Sequence, residues 1–469
     1  MPDVRRVPTT PSGQAARGVA APGRIWLVFV GAAYLFFVVY GSLVPLNFHP
    51  IPMEAALKTF SAIPYLHLGI DSRADWVANA LLFVPLAYLW SGVCWPRRSG
   101  VVRVLAGVLI GLACLALAVG IEFTQIFFPG RTVSINDIVA EGIGGVTGVW
   151  LWALTGARFR AWFGSMPLVQ GTAGVAERLL IPYLLVMLGY NLLPLDLTLS
   201  PVELYHKWNE GRILLIPFGA HYDDAAHQYY DLLSDIAIWI PAALLWKLAY
   251  RQPKMVVWIY VVITATVIEF LQLFVYSRVS DTTDIITAAI GGVIGTALAV
   301  RGAVASRGGD PRKSVLRGST RAWMAVAFWL CVLATVFWYP FDFNFDRAFL
   351  RERLIHLKQV PFEAYYFGSE FRAVTEVLHK TGFMLPLGVL LAIVANRSTP
   401  GFARAATHLG AVGFIIATAV GIEFGQLFLP DKNADITDAL LETMGGLAGY
   451  WGCLFTIGML NRPSGDGRE

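Results

Sequence analysis

"GIEFTQIFFPGRTVSINDIVAEGIGG", residues 120–145, sets a glutamate, a glutamine, an arginine and an aspartate between runs of Ile, Phe and Val. Nearly the same string returns twice, as "VIEFLQLFVYSRVSDTTDIITAAIGG" at 267–292 and "GIEFGQLFLPDKNADITDALLETMGG" at 421–446. Without a gap, Glu122, Glu269 and Glu423 align, and so do Gln125, Gln272 and Gln426. Arg131, Arg278 and Lys432 follow, then Ser134, Asp281 and Asp435, then Asp137, Asp284 and Asp438. Glycine pairs close the register at Gly144-Gly145, Gly291-Gly292 and Gly445-Gly446, with Gly148, Gly295 and Gly449 behind them.

The repeat extends upstream. "DWVANALLFVPLAYLW" (75–90), "DLLSDIAIWIPAALLW" (231–246) and "EVLHKTGFMLPLGVLL" (376–391) keep Pro85, Pro241 and Pro386 in step. Further back, each copy opens on an apolar run ending at Tyr40, Tyr190 or Tyr339, just before Pro45, Pro194 or Pro340. A period of this length marks tandem units, each large enough for a domain. The units are read as 24–157, 178–301 and 321–460, after a disordered tail over 1–23.

Composition says where such units live. Of 469 residues, 56% are hydrophobic and 14% charged, against roughly 25% charged in soluble domains; the mean hydropathy is +0.59. Apolar runs of about 20 residues match a hydrocarbon core about 30 Å thick. Lipid requires each backbone group to be paired within the segment, so the runs are helices. Four per unit give an all-α integral membrane protein of about twelve spans. The apolar run 25–46 is longer than the core of a signal peptide, roughly 7–15 residues, and is read as the first of them.

Cys94, Cys114, Cys331 and Cys453 show no paired spacing and imply neither disulfides nor zinc. No cofactor or metal is expected. With a formal charge of +4 and no basic patch interleaved with aromatics, nucleic acid is not an expected partner.

Basic residues cluster before the first span (Arg5, Arg6, Arg17, Arg24), around 97–103, and at the unit junctions 158–178 and 301–321. By the positive-inside rule both termini are cytoplasmic. An even number of spans per unit makes the three repeats parallel, not inverted.

The polar string then falls at the outer end of each third helix and the start of each fourth. Glu and Gln three residues apart share a face. Ser134, Asp281 and Asp435 suit a helix cap, and Asp137, Asp284 and Asp438 suit the positive end of the helix dipole. The second helix brings Asp75 and Asn79, Asp231 and Asp235, or Glu376, His379 and Lys380 to the same level. The glycines four apart allow close helix approach.

Two readings follow: acids and cations pair to pin an outer hairpin, or they bind a polar ligand, as intramembrane charges often do. The second unit, with acids facing only Arg278, carries the surplus negative charge. "HYDDAAH" (221–227) offers His221, Asp223, Asp224 and His227 but reads as a solvated loop, since its spacing fits no zinc template.

The segments "NALLFVPL", "IEFTQIFFPGR" and "NDIVAEGIGGVTG" resemble the VanZ-like domain of bacterial membrane proteins. The second copy departs from that pattern at Asp235, the third at Lys380 and Lys432. The resemblance implies a bacterial inner-membrane, cell-envelope protein. It carries an association with teicoplanin resistance and exopolysaccharide functions, and little defined biochemistry. The expected partners are membrane lipids, a lipid-linked envelope glycan or an envelope-assembly protein. A transporter or flippase is the alternative reading, and an intramembrane enzyme with paired carboxylates a further one.

Overall fold

The computed structural model describes residues 24–65, 69–96, 100–166, 169, 171–219, 225–305, 311–356, 360–366, 370–397 and 401–460. The tail 1–23 and, within "HYDDAAH", His221, Asp223 and Asp224 lie outside them.

The first unit comprises α1 (Arg24–Leu43), a short α2 (Met53–Ser61), α3 (Ile70–Cys94), α4 (Val101–Gln125) and α5 (Ile135–Gly164). The second comprises α6 (Gly171–Leu192), a short α7 (Pro201–Asn209), α8 (Ala225–Tyr250), α9 (Lys254–Gln272) and α10 (Thr282–Ala305). The third comprises α11 (Pro311–Trp338), the short α12 (Arg347–His356) and α13 (Glu363–Tyr366), α14 (Glu370–Ala395), α15 (Phe402–Gln426) and α16 (Ile436–Leu460). The fold is all-α apart from a two-residue parallel pairing of β1 (Ile213–Leu214) with β2 (Ser280–Asp281).

Among the described residues eleven helices are long and apolar enough to cross a membrane, where about twelve were expected. The missing one is α16. It is 25 residues long and holds the place of α5 and α10, but Thr, Tyr, Trp and glycines dilute its apolar character. The first helix of the second unit, α6, begins at Gly171, ahead of the unit start read at 178 and inside the junction. The four-helix reading held no place for the short helices α2, α7, α12 and α13. They occupy the connection from first to second long helix in each unit.

Each unit has its own apolar core. One gathers Val38, Phe83, Leu86 and Ile121, the next Met187, Trp239, Val261 and Ile268, the third Leu333, Met384, Ile415 and Tyr450. In each, the second and fourth long helices make the most extensive contact. The glycines explain how. A Cβ on Gly144 or Gly148 would lie 2.0 Å from the Ala80 carbonyl oxygen or 2.3 Å from that of Val84. Gly445 and Gly449 meet Thr381 and Leu385 at 2.1 Å each. Backbone touches backbone there, which only glycine permits.

The prolines inside α3, α8 and α14 are a second triplicated device. A helical proline removes one hydrogen bond and loosens the turn before it. In each unit the first helix donates to the carbonyl three residues upstream: Tyr34 Oη to Leu82 at 3.0 Å, Tyr183 Oη to Ile238 at 2.6 Å, Trp329 Nε1 to Phe383 at 3.0 Å.

All three units touch one another. Arg73 on α3 meets Glu203 on α7 through two hydrogen bonds of 2.9 and 3.0 Å. Tyr40 Oη donates to the Pro361 carbonyl at 2.9 Å, and Tyr190 Oη lies 2.7 Å from His379 Nε2. α3 packs on α14, and α6 on α16.

Candidate functional site

The string that opened the reading folds into the same hairpin three times. Glu122, Glu269 and Glu423, all buried, sit in the last turn of α4, α9 and α15. Their Oε2 atoms accept the backbone N–H of Ser134 at 3.0 Å, Asp281 at 2.9 Å and Asp435 at 2.8 Å. The glutamate thus closes the turn by holding the entry of the next helix, whose first N–H groups have no partner of their own.

The residue so held caps that helix. Ser134 Oγ accepts the Asp137 N–H at 3.2 Å. Asp281 Oδ1 takes the N–H and hydroxyl of Thr283 at 2.7 and 2.6 Å, and Asp435 does the same for Thr437 at 2.8 and 2.9 Å. Gln125 Nε2 reaches the Ser42 carbonyl at 2.8 Å and Gln272 Nε2 that of Asn191 at 3.1 Å, tying the hairpin to the first helix. The connection carrying the short helices is stitched on too. His49, Thr198 and Asn344 donate their N–H to Phe127, Phe274 and Phe428 at 2.8, 2.8 and 2.7 Å.

Two of the three cations reach backbone carbonyls at the end of the first helix. Arg278 spends its guanidinium on backbone carbonyls, Leu193 at 2.7 Å from Nε and Tyr190 from Nη2, and stands 5.7 Å over the Tyr190 ring. Arg131 reaches the Gly41 carbonyl at 3.4 Å. Helix C-termini leave carbonyls that a cation satisfies well. Among the described residues no such carbonyl is met by the Lys432 ammonium.

Position 79/235/380 sets the units apart. Asn79 Nδ2 donates to Asp137 at 2.8 Å, and Ser134 Oγ donates to its other oxygen at 2.6 Å. In the third unit Lys380 forms an ion pair with Asp438, which Tyr365 Oη also meets. In the second, Asp235 brings another acid. With Glu269, Asp284 and Asn191 it lines a cavity of about 20 Å³, the size of one water molecule. Glu269 and Asp284 both line this cavity, so the acids of α8, α9 and α10 meet there. Asp75 stays exposed near the start of α3, within electrostatic range of Asp137.

A family model, VanZ/LLP1, matches residues 25–156, 180–304 and 326–457. The chain belongs to the VanZ/LLP1 family. Its three tandem VanZ segments each carry one complete hairpin and its core. No curated protein and no solved structure matches the chain.

Two features of these VanZ segments escaped the sequence reading. Lys207 on α7 is fully buried, and its Nζ donates to Gln272 at 2.5 Å, Val275 at 2.8 Å and Leu273 at 3.4 Å, the open carbonyls beyond α9. Arg353 on α12 does the same work in the third unit, on Leu429 at 2.9 Å and Pro430 at 2.6 Å. Glu141 and Glu442, nearly two turns into α5 and α16, are buried, and Glu442 neighbours the hairpin glutamate Glu423. Their alignment is gapless, but Ala288 interrupts it in the second unit.

Proposed function

We propose that this VanZ-like protein sits in a bacterial inner membrane with its hairpin end outward, and holds there the phosphate-bearing headgroup of a lipid or lipid-linked glycan. The observation that carries the reading is the open face of α12 on the third unit, where Arg347, Ala348, Arg351 and Glu352 lie together. Arg347 and Arg351 are four residues apart, so their guanidinium groups share a helix face, and both are exposed. Rigid guanidinium forks recognise phosphate oxygens well.

The surroundings suit the headgroup level. Phe345 and Leu354, 69% and 53% exposed, flank this segment, and Leu199, Tyr205 and Trp208 do so on α7. Aromatic rings and cations together mark the lipid–water interface. The basic junctions between units lie at the opposite end of the long helices, which supports an outward hairpin end. The buried acids beneath serve the frame, leaving the ligand to the surface cations. Which envelope process the protein serves, glycopeptide resistance or exopolysaccharide assembly included, then depends on which headgroup α12 selects.

The reading is tested by native mass spectrometry of protein released from nanodiscs. Phosphatidylglycerol should be retained over phosphatidylcholine, and a polyprenyl diphosphate should displace it if the natural ligand is a glycan carrier. Arg347→Ala with Arg351→Ala should abolish the preference. Equal lipid retention by that double variant would refute the reading.

A flippase reading draws on Asp235, Glu269 and Asp284 inside the spans. Against it, the cavity they line admits one water and no headgroup.

A further inference from the structure

We propose that the third unit carries a proton-binding site inside the membrane, formed by Glu423 on α15 and Glu442 on α16. The site is independent of the headgroup reading and lies below the hairpin, not on α12.

Glu442 is 0% exposed, and neither carboxyl oxygen has a hydrogen-bond partner. Glu423 is 6% exposed; its Oε2 holds the Asp435 N–H, while its Oε1 has no partner. Each of the two groups feels the charge of its surroundings at close range, and Glu423 is the strongest electrostatic neighbour of Glu442. Three oxygens of two neighbouring carboxyl groups are therefore buried without a hydrogen-bond donor.

The charges around the pair do not neutralise it. From α14 Lys380 is in reach, but its ammonium is engaged by Asp438, the acid one turn before Glu442. From α13 Tyr365 is within electrostatic range of both glutamates, and its hydroxyl is likewise given to Asp438. Asp435 adds negative charge from the hairpin. α6 also packs on α16 but sends no titratable group against Glu442.

Two ionised carboxylates in that setting would carry an uncompensated charge out of water, which costs several kcal/mol per ion. A bound proton removes one of those charges and with it that cost. A metal cation is disfavoured, because three or more acidic or imidazole ligands do not converge anywhere among the described residues. The second unit marks the contrast: Ala288 stands where the third has Glu442, and its carboxyl partner comes from α8 as Asp235 instead.

The experiment is labelling of the full-length protein in detergent with a hydrophobic carbodiimide, which reacts with protonated carboxyl groups in apolar surroundings. Adducts are located by peptide mass spectrometry across a pH series, with and without sodium. We expect an adduct on the peptide containing Glu442 or on that containing Glu423, its yield falling as pH rises. Glu442→Gln should remove the Glu442 adduct, and Glu442→Ala serves should the glutamine variant fail to elute as folded monomer. Should neither variant fold, the pH series on the wild-type protein decides alone. No adduct on either glutamate at any pH overturns the proposal. So does protection by sodium, which would make the occupant a metal ion, and so does a yield indifferent to pH.

Discussion

Lys207 occupies an environment that few lysines tolerate. Its ammonium is enclosed, and burial pushes its pKa from 10.5 down to about 8, with Asp196 and Glu269 acting in the opposite sense. At neutral pH it is charged, and its ammonium donates to three carbonyls at and beyond the end of α9. Replacing it by methionine should leave those carbonyls without a donor. One buried unsatisfied group costs about 1–3 kcal/mol, so Lys207→Met should unfold earlier by at least that amount in thermal melts. The pH dependence has a definite sign. Between about 8 and 10.5 the unfolded chain holds the lysine proton more tightly than the folded one. Stability from this group therefore rises with pH across that window. The deficit of Lys207→Met relative to wild type should widen there; a constant deficit would deny the burial effect. The sequence hid this residue because "PVELYHKWNEGR" reads as a mixed polar connection, and its burial depends on a loop 65 residues away.

At the level of helices and hairpins, more was legible. The Glu-to-Asp string, the caps and the small residues aligned without gaps, and each has its place in the hairpin. The register of the glycines fixed which faces of α3 and α5 meet, because their purpose is backbone proximity and nothing else fits. A methyl group at Gly148 would press on the Val84 carbonyl at 2.3 Å, where a rigid helix cannot yield. Gly148→Ala should therefore destabilise by about 1–3 kcal/mol, the usual cost of overpacking. Gly111→Ala on the facing α4 meets nothing within 4 Å and should be neutral or stabilise by up to ~1 kcal/mol through helix propensity. Melting both variants side by side in detergent checks the pair, and equal melting points would contradict the close approach.

The partners of the cations were not legible. Arg131 and Arg278 lie beside acids in the sequence, yet their bonds run to carbonyls about 90 residues upstream. Charge pattern alone cannot distinguish an acidic side chain from an open helix end. Glu442 was equally hidden, since a repeat comparison discounts a column broken by alanine.

Across the whole molecule, separate cores are joined by helix packing, α3 on α14 and α6 on α16, and by a few polar contacts near the hairpin end. Arg73 and Glu203 join the first unit to the second, and each is partly open to water. The guanidinium of Arg73, then the Thr198 hydroxyl, holds the Glu203 carboxyl below its usual pKa. A depressed acid contributes stability above its ordinary titration range and loses it as pH falls. Solvent screening limits the contribution to at most about 1 kcal/mol. Hydrogen exchange should therefore show Glu203→Gln loosening the segments around Arg73 and Glu203 at neutral pH, with the three cores unchanged. Acidification of the wild type should reproduce that loosening locally. Protection at the seam that is indifferent to both changes would show that apolar contacts alone hold the units together.

The residue at 79, 235 or 380 makes the three segments non-exchangeable parts. Grafting α8 in place of α3 would set the carboxylate of Asp235 against Asp137, which now accepts a hydrogen bond from the Asn79 amide. Grafting α14 there would instead install an ammonium. A chimera built from one segment in triplicate would therefore not be this protein with perfect symmetry. It would be a molecule with one electrostatic conflict or one redundant ion pair copied at every corner.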